Sequence, residues 1–208
     1  MKKFLQLLFG NHIFSINSLI IKFILILKGI KVGKNFYITG TPYLKIRGIP
    51  SNIKIGNNVK IYGDIDLRNR ENGKIFLRDN VTIEDNCRIV SAREGLISID
   101  EGSIICAYSI INGGHDVSIG KNCIIGRNTS INSNSHITKK NQNIRDQGFD
   151  LSPVTIEDDC WTGINSVITK GVRLKKGSII GANSVVTKDT EENSINVGSP
   201  SIKIKFRD

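Results

Sequence analysis

The sequence predicts an all-β chain wound as a parallel β-helix of short repeats, about six coils long, with a helical segment at its N-terminus and one extruded loop. Three observations predict it. Ile156, Thr162, Ile168, Leu174, Ile180 and Val186 fall at unbroken six-residue spacing, a period that suits neither an amphipathic helix nor a simple alternating strand. Four residues after most aliphatic anchors stands a small or β-branched residue: Val59, Val81, Cys87, Ser103, Ser109, Cys123, Thr129, Cys160, Ser166, Val172, Ser178 and Ser184. A narrow coil interior has room for one large and one small side chain per side. Third, the period stops after Ile137 and resumes at Ile156.

The N-terminal element is a helical segment over 1–34. Phe4, Leu5, Leu7, Leu8 and Phe9 begin an apolar stretch that resumes through 19–27 and stops at Gly29. His12, Asn17 and Lys22 interrupt it, so it is a poor membrane span. No small-residue cleavage site follows, which argues against a signal peptide. Two readings stay open. One is packing against the end of the coil or a subunit contact. The other is an amphipathic helix lying on the inner membrane face, aided by Lys2, Lys3, Lys22, Lys28, Lys31 and Lys34.

The β-helix is expected over 35–191. Its anchors run Ile55, Ile61, Leu67; Leu77, Ile83, Ile89; Ile99, Ile105, Ile111; and Ile119, Ile125, Ile131, before the unbroken set. Three hexads close one coil, so coils begin near 55, 77, 99, 119, 156 and 174. Slips at 70–74, 95–97 and 117–118 read as bulged corners. The extruded loop covers 137–155. Long loops on rigid scaffolds usually carry function. His136 stands at its root, and the single tryptophan, Trp161, lies just beyond its far end. Residues 192–208 form a C-terminal tail.

Composition narrows the partners. At 208 residues the chain is one domain, or one domain with an appendage. Its net charge of +10 calls for an anionic partner: nucleic acid, anionic lipid or a phosphate-bearing small molecule. Aromatics are few and no nucleic-acid motif is present, which argues against nucleic acid. Cys87, Cys123 and Cys160 share the small inward position and Cys106 adjoins an anchor, so the thiols read as buried packing in a reducing cytoplasm. No metal-ligand spacing occurs, and no metal is expected.

The stretch from Ile119 onward resembles the hexapeptide-repeat acyltransferases with a left-handed β-helix, most closely the galactoside, maltose and polysaccharide O-acetyltransferase branch. The matching pieces are Ile119-Gly120-Lys121-Asn122, the polar run ending in His136, the extruded loop, Cys160-Trp161-Thr162-Gly163, Lys170-Gly171-Val172, the run 180–189 and Val197-Gly198-Ser199-Pro200. The resemblance implies the left hand of the coil. It implies acetyl-CoA as co-substrate, a saccharide acceptor and a homotrimer with sites between subunits. His136 would be the general base. The turn Gly163-Ile164 would give an oxyanion donor from the backbone, and Trp161 would wall the thioester channel. Gly181, Ala182, Thr187 and Lys188 would line the coenzyme, and Lys203 and Lys205 would pair with its phosphates. The basic residue usual two positions past the proline is replaced here by Ile202.

Tyr108, Asn112, His115, Asn132 and Asn134 are the polar candidates for acceptor binding, with His115 also a rival base near a small inward position. The expected activity is O-acetylation of a saccharide hydroxyl in cell-surface polysaccharide biosynthesis, such as capsule or O-antigen. The location expected is cytoplasmic, with a peripheral contact at the inner membrane face. The alternatives are N-acetylation of an amino sugar and a non-catalytic scaffold. A zinc carbonic anhydrase needs three histidine ligands, and only His115 and His136 lie in the coils. An ice-binding ladder needs a flat threonine face, which the sequence lacks.

Overall fold

The computed structural model describes Gly10 and residues 12–208. Lys2, Lys3 and the apolar run at 4–9 lie outside the described residues. Seven turns of parallel β-helix follow one described helix, α1 (His12–Leu27). Each turn gives one strand to each of three sheets. The first sheet stacks Lys31–Val32, Ile53–Ile55, Lys74–Leu77, Leu96–Ile99, Val117–Ile119, Val154–Ile156 and Arg173–Leu174. The second stacks Tyr37–Ile38, Lys60–Ile61, Thr82–Ile83, Ile104–Ile105, Ile124–Ile125, Trp161–Thr162 and Ile179–Ile180, and ends in Ser194–Gly198 with Ser201–Phe206 antiparallel to it. The third stacks Pro42–Ile46, Ile65–Asn69, Cys87–Ser91, Ile110–Gly113, Ser130–Asn132, Val167–Ile168 and Val185–Val186.

Strand register sets like over like. In the second sheet Ile38, Ile61, Ile83, Ile105, Ile125, Thr162 and Ile180 form one inward column. Leu67, Ile89, Ile111, Ile131, Ile168 and Val186 form another in the third sheet. These side chains are almost completely buried. Each contributes roughly 1.5–3 kcal/mol by leaving water, but only once its neighbours stack above and below. The twelve small residues that the repeat places inward are all buried. Thr162 breaks the aliphatic column without leaving an orphan polar group. Its hydroxyl accepts the Gly126 N–H at 3.0 Å and lies 3.3 Å from the Thr129 hydroxyl.

The sequence register begins at Ile55 and yields about six coils; the structure adds a first turn over 31–46. Val32, Ile38 and Leu44 keep the six-residue step there. The corner that follows is long and includes a 3₁₀ turn at Pro50–Asn52, which delays the next anchor to Ile55.

The slip at 70–74 falls at a corner as expected, while the other two are placed differently from the sequence reading. Leu96-Ile97 and Val117-Ser118 lie inside strands, and the extra residues sit at the corner between the third and first sheets. There Gly73 N–H donates to Arg70 O at 2.9 Å and Gly95 N–H to Ala92 O at 3.1 Å, closing two stacked reverse turns. His115 also departs from expectation: in the third-to-first corner of the fourth turn the interior is filled by Gly113 and Val117, and His115 is exposed.

Helix α1 buries Ser18, Ile21 and Leu25 on one face. It closes the open edge of the first turn. Asn17 Nδ2 donates to Ile38 O at 2.9 Å, and the Ser18 hydroxyl accepts the Ile38 N–H at 2.8 Å. Lys22 turns its ammonium to Gly33 O, so it faces the coil rather than a membrane. Gly29, at φ +83°, ends the helix, and the Ile30 N–H reaches back to Leu25 O at 3.0 Å. The other face leaves Ile16, Leu19, Ile20, Phe23 and Leu27 more than half exposed. Among the described residues no helix is long and apolar enough to cross a membrane.

Candidate active site

The extruded loop leaves the fifth turn as a hairpin. Asn134–His136 pairs antiparallel with Phe149–Leu151, placing His136 opposite Phe149. Two anchors tie its root to the coil. Ser152 N–H donates to Ser133 O at 3.1 Å, and Lys170 Nζ meets Asp150 Oδ2 at 2.7 Å. The hairpin tip is held by Gln147, which bonds both N–H and C=O of Lys139. His136 is exposed, its ring centroid 4.7 Å from that of Phe149 and tilted by 34°. Its imidazole makes no hydrogen bond among the described residues, so both ring nitrogens stay open to a ligand.

Two cavities flank this hairpin. One, of about 430 Å³, is lined by Asn132, Asn134, Ser135, Thr169, Lys170 and Thr187. Its floor is a polar column on the outer face of the third sheet, where Asn112 pairs with Asn132 in register. The other, of about 310 Å³, shares Asn134 with the first and includes Phe149. A larger cleft of about 450 Å³ lies near the first turns, lined by Tyr43, Asp66 and Arg88 among others. Asp66 there is saturated by Arg68 at 2.7 Å and Arg88 at 2.9 Å. Burial pushes its carboxyl up, yet those hydrogen bonds hold it below the usual range.

Of the acceptor candidates, Asn112 and Asn134 gather with Asn132 beside the hairpin. Asn112 Nδ2 contacts Asn132 Oδ1 at 3.4 Å. His115 sits at the corner one turn below, its Nδ1 accepting the Asp116 N–H at 2.7 Å, and its backbone N–H donating to Ser133 Oγ at 3.0 Å. Tyr108 lies at a different corner, between the second and third sheets, under the Arg127 guanidinium at 4.7 Å.

The candidates for the coenzyme divide between two places. Trp161 faces outward from the second sheet and is half exposed, in register with Ile124 and Ile179. Gly163, Ile164, Gly181 and Ala182 form the next corner. Gly163 N–H donates to Ile180 O at 2.6 Å, so the Gly163 N–H is already occupied. Thr187 lies instead in the 430 Å³ cavity on the hairpin side, followed by the exposed Lys188. Lys203 pairs with Glu191 Oε1 at 2.7 Å and Lys205 with Asp208 Oδ2 at 3.5 Å. Within one chain, then, His136 and Trp161 stand on different faces of the prism.

Sequence reasoning missed Phe149, Lys170 and Asp150 as parts of this site. The hexad marks no position within the loop, so Phe149 and Asp150 carry no signal in the sequence, and Lys170 stands there only as part of the Lys170-Gly171-Val172 corner. The thiols are packing groups: Cys87, Cys123 and Cys160 are buried, and burial pushes Cys87 up to about 12. Among the described residues no group of three or more metal-ligating side chains occurs.

The family model described as the hexapeptide repeat of succinyl-transferase matches residues 116–133 and 153–188. The gap between the two matched stretches is the hairpin. A probable acetyltransferase of Mycobacterium tuberculosis is 27% identical over 168 residues, covering 80% of this chain and 53% of that protein. A 2,3,4,5-tetrahydropyridine-2,6-dicarboxylate N-acetyltransferase of Staphylococcus aureus is 46% identical over 54 residues, 26% of this chain and 23% of that one. The chain thus spans about half the length of the first relative and about a quarter of the second. Among solved structures, the polySia specific acetyltransferase NeuO superposes with a TM-score of 0.61 at 23% identity, over 85% of this chain and 86% of that one. AntD, an N-acyltransferase from Bacillus cereus solved with dTDP-4-amino-4,6-dideoxyglucose and coenzyme A, superposes with a TM-score of 0.55 at 21% identity, over 86% and 84%. Six-residue anchors, three parallel sheets and these superpositions give the chain the left-handed β-helix fold, and it carries the hexapeptide repeat over 116–133 and 153–188.

Proposed function

We propose that the protein is an acetyl-CoA-dependent O-acetyltransferase that acts on a saccharide hydroxyl, with His136 as general base. The observation that carries this reading is the hairpin: it carries an exposed imidazole with no hydrogen bond among the described residues, and its neighbours Asn134, Ser135 and Phe149 line two cavities. A sugar hydroxyl is a weak nucleophile until its proton is removed during attack, and a neutral imidazole suits that task near pH 7. In this reading the hydroxyl proton passes to His136 as the oxygen attacks the thioester carbonyl. The C–S bond then breaks, and the departing sulfur takes the proton back from the imidazolium. The oxyanion needs a fixed donor. With Gly163 N–H committed to Ile180 O, the Ile164 N–H is the donor left in the turn Gly163-Ile164.

His136 and that corner lie on different faces, so the site takes one from each of two subunits of a homotrimer. An apolar outward column in the second sheet supports a subunit contact: Ile104, Ile124, Trp161 and Ile179 follow one another in register. The acceptor class is taken with the resemblance, a sugar of cell-surface polysaccharide. The place of action in this reading is the cytoplasm, with the exposed face of α1 on the inner membrane leaflet. Failure to sediment with anionic lipid vesicles removes that membrane contact.

The test is thiol release from acetyl-CoA by wild type and His136→Ala over a panel of saccharides. Acceptor-dependent release that falls by about 10²-fold or more in the variant supports the reading. Release that survives the substitution favours the second reading, N-acetylation of an amino sugar, whose amine needs less help from a base. The superposition on an N-acyltransferase is what keeps that second reading in play. A chain that binds no coenzyme A is not a transferase, and the scaffold reading then stands.

A further inference from the structure

The 310 Å³ cavity below the hairpin is lined by Arg70, Glu71, Ala92, Arg93, Gly114, Asn134 and Phe149. Its walls are the two stacked corner turns made by the extra residues of the second and third coils. Those turns bring Arg70 and Arg93 to the lining of one cavity. Half of the arginines of this chain find a carboxylate: Arg68 and Arg88 on Asp66, Arg78 on Asp100, Arg173 on Glu157, Arg207 on Asp159. Arg70 and Arg93 do not. Neither side chain makes an ion pair or hydrogen bond among the described residues, and Arg70 Nε is buried with no partner. The one carboxylate in the lining, Glu71, turns Oε2 to the backbone N–H of Arg93 at 2.6 Å. A buried donor left unbonded is costly, and proteins rarely keep one without a use.

The cavity is coupled to the candidate base through one ring. The Arg93 guanidinium lies 5.4 Å from the Phe149 centroid, and the His136 ring lies 4.7 Å from the same centroid. A group held by the arginines is therefore one aromatic ring away from the imidazole.

We propose that this cavity is the acceptor subsite and that it selects an acidic saccharide, whose carboxylate or phosphate group seats between Arg70 and Arg93. The inference rests on the transferase reading for the word acceptor; the anion site itself does not. A planar guanidinium offers two parallel N–H donors, which match the two oxygens of either anion. The cavity has room for one sugar ring with its acidic substituent. Asn134, on the hairpin strand, supplies a neutral hydrogen-bonding group for the sugar.

Calorimetric titration of the full chain separates the two claims. The probes are coenzyme A, a hyaluronan tetrasaccharide with its carboxyl-reduced counterpart, and glucose 1-phosphate with glucose. At least one acidic probe is expected to bind ten-fold or more tighter than its neutral match. Arg93→Gln and the pair Arg70→Gln/Arg93→Gln should abolish that preference while leaving coenzyme A binding in place. Arg93 is exposed, so the single variant is the one whose folding is safe. Preference for the tetrasaccharide identifies a carboxylate as the natural anion; preference for glucose 1-phosphate identifies a phosphate-linked sugar. Equal binding of acidic and neutral members, or a preference that persists in Arg93→Gln and the double variant, overturns the anion site. Coenzyme A binding in the same titrations reports on the transferase reading independently.

Discussion

A hydrogen atom in place of a methyl group decides how closely two corners can stack. At Gly163 an added Cβ would stand 2.5 Å from the Ala182 nitrogen, and at Gly126 it would stand 2.3 Å from Thr162 O. Both contacts are to backbone, so nothing flexible can give way. Gly163→Ala is expected to destabilise the chain by about 1–3 kcal/mol, the usual cost of overpacking, and to lower the thermal midpoint. A melt indistinguishable from wild type would show that the corner can shift. The same scale explains what the sequence could and could not show. A large anchor followed four residues later by a small one is a steric requirement of a narrow interior, so Ile105 with Ser109, or Ile125 with Thr129, reads directly. Arg70 and Arg93 carry no such mark. They lie far apart in sequence, and only the stacking of two turns brings them to one cavity.

The hairpin is tied to the coil at its root, through Ser152 and Asp150. Beyond its three-residue strands, its tip is held mainly by Gln147 and a short 3₁₀ turn at Ile144–Asp146. The coil meanwhile continues beneath it without a break. Asn128 Nδ2 donates to Asn165 Oδ1 at 2.8 Å and Asn165 Nδ2 to Asn183 Oδ1 at 3.1 Å, a ladder of corner residues that crosses the insertion. Asparagine suits these corners because it tolerates the left-handed backbone they need, φ 58° at Asn128 and at Asn165. Replacing 138–147 by Asn-Gly should therefore leave the melt within a few degrees of wild type while acyl transfer drops sharply. Full activity in that variant would mean that the two hairpin strands alone build the site. The loop was legible in the sequence as a lapse of period at its root. Its internal pairing was not, because His136 meets Phe149 through a strand register that no repeat dictates. The first turn escaped for a related reason: the 3₁₀ turn at Pro50–Asn52 breaks the step between Leu44 and Ile55.

For the whole molecule the separation of His136 from Trp161 on different faces is the decisive geometry. If each site is shared between subunits, His136→Ala and Trp161→Ala damage opposite halves. Mixing the two inactive variants after dissociation and reassembly should restore activity that neither parent has. A mixture as inactive as its parents would place the whole site in one chain. The solenoid itself has another consequence. Every turn offers the next one a complete set of backbone donors and acceptors, so the stack has no internal reason to stop at seven. In the language of polymers it is a growing chain with two active ends. Helix α1, through Asn17 and Ser18, and the folded-back strand Ser201–Phe206 are its terminators, and they keep a unimolecular fold from becoming the seed of a fibre.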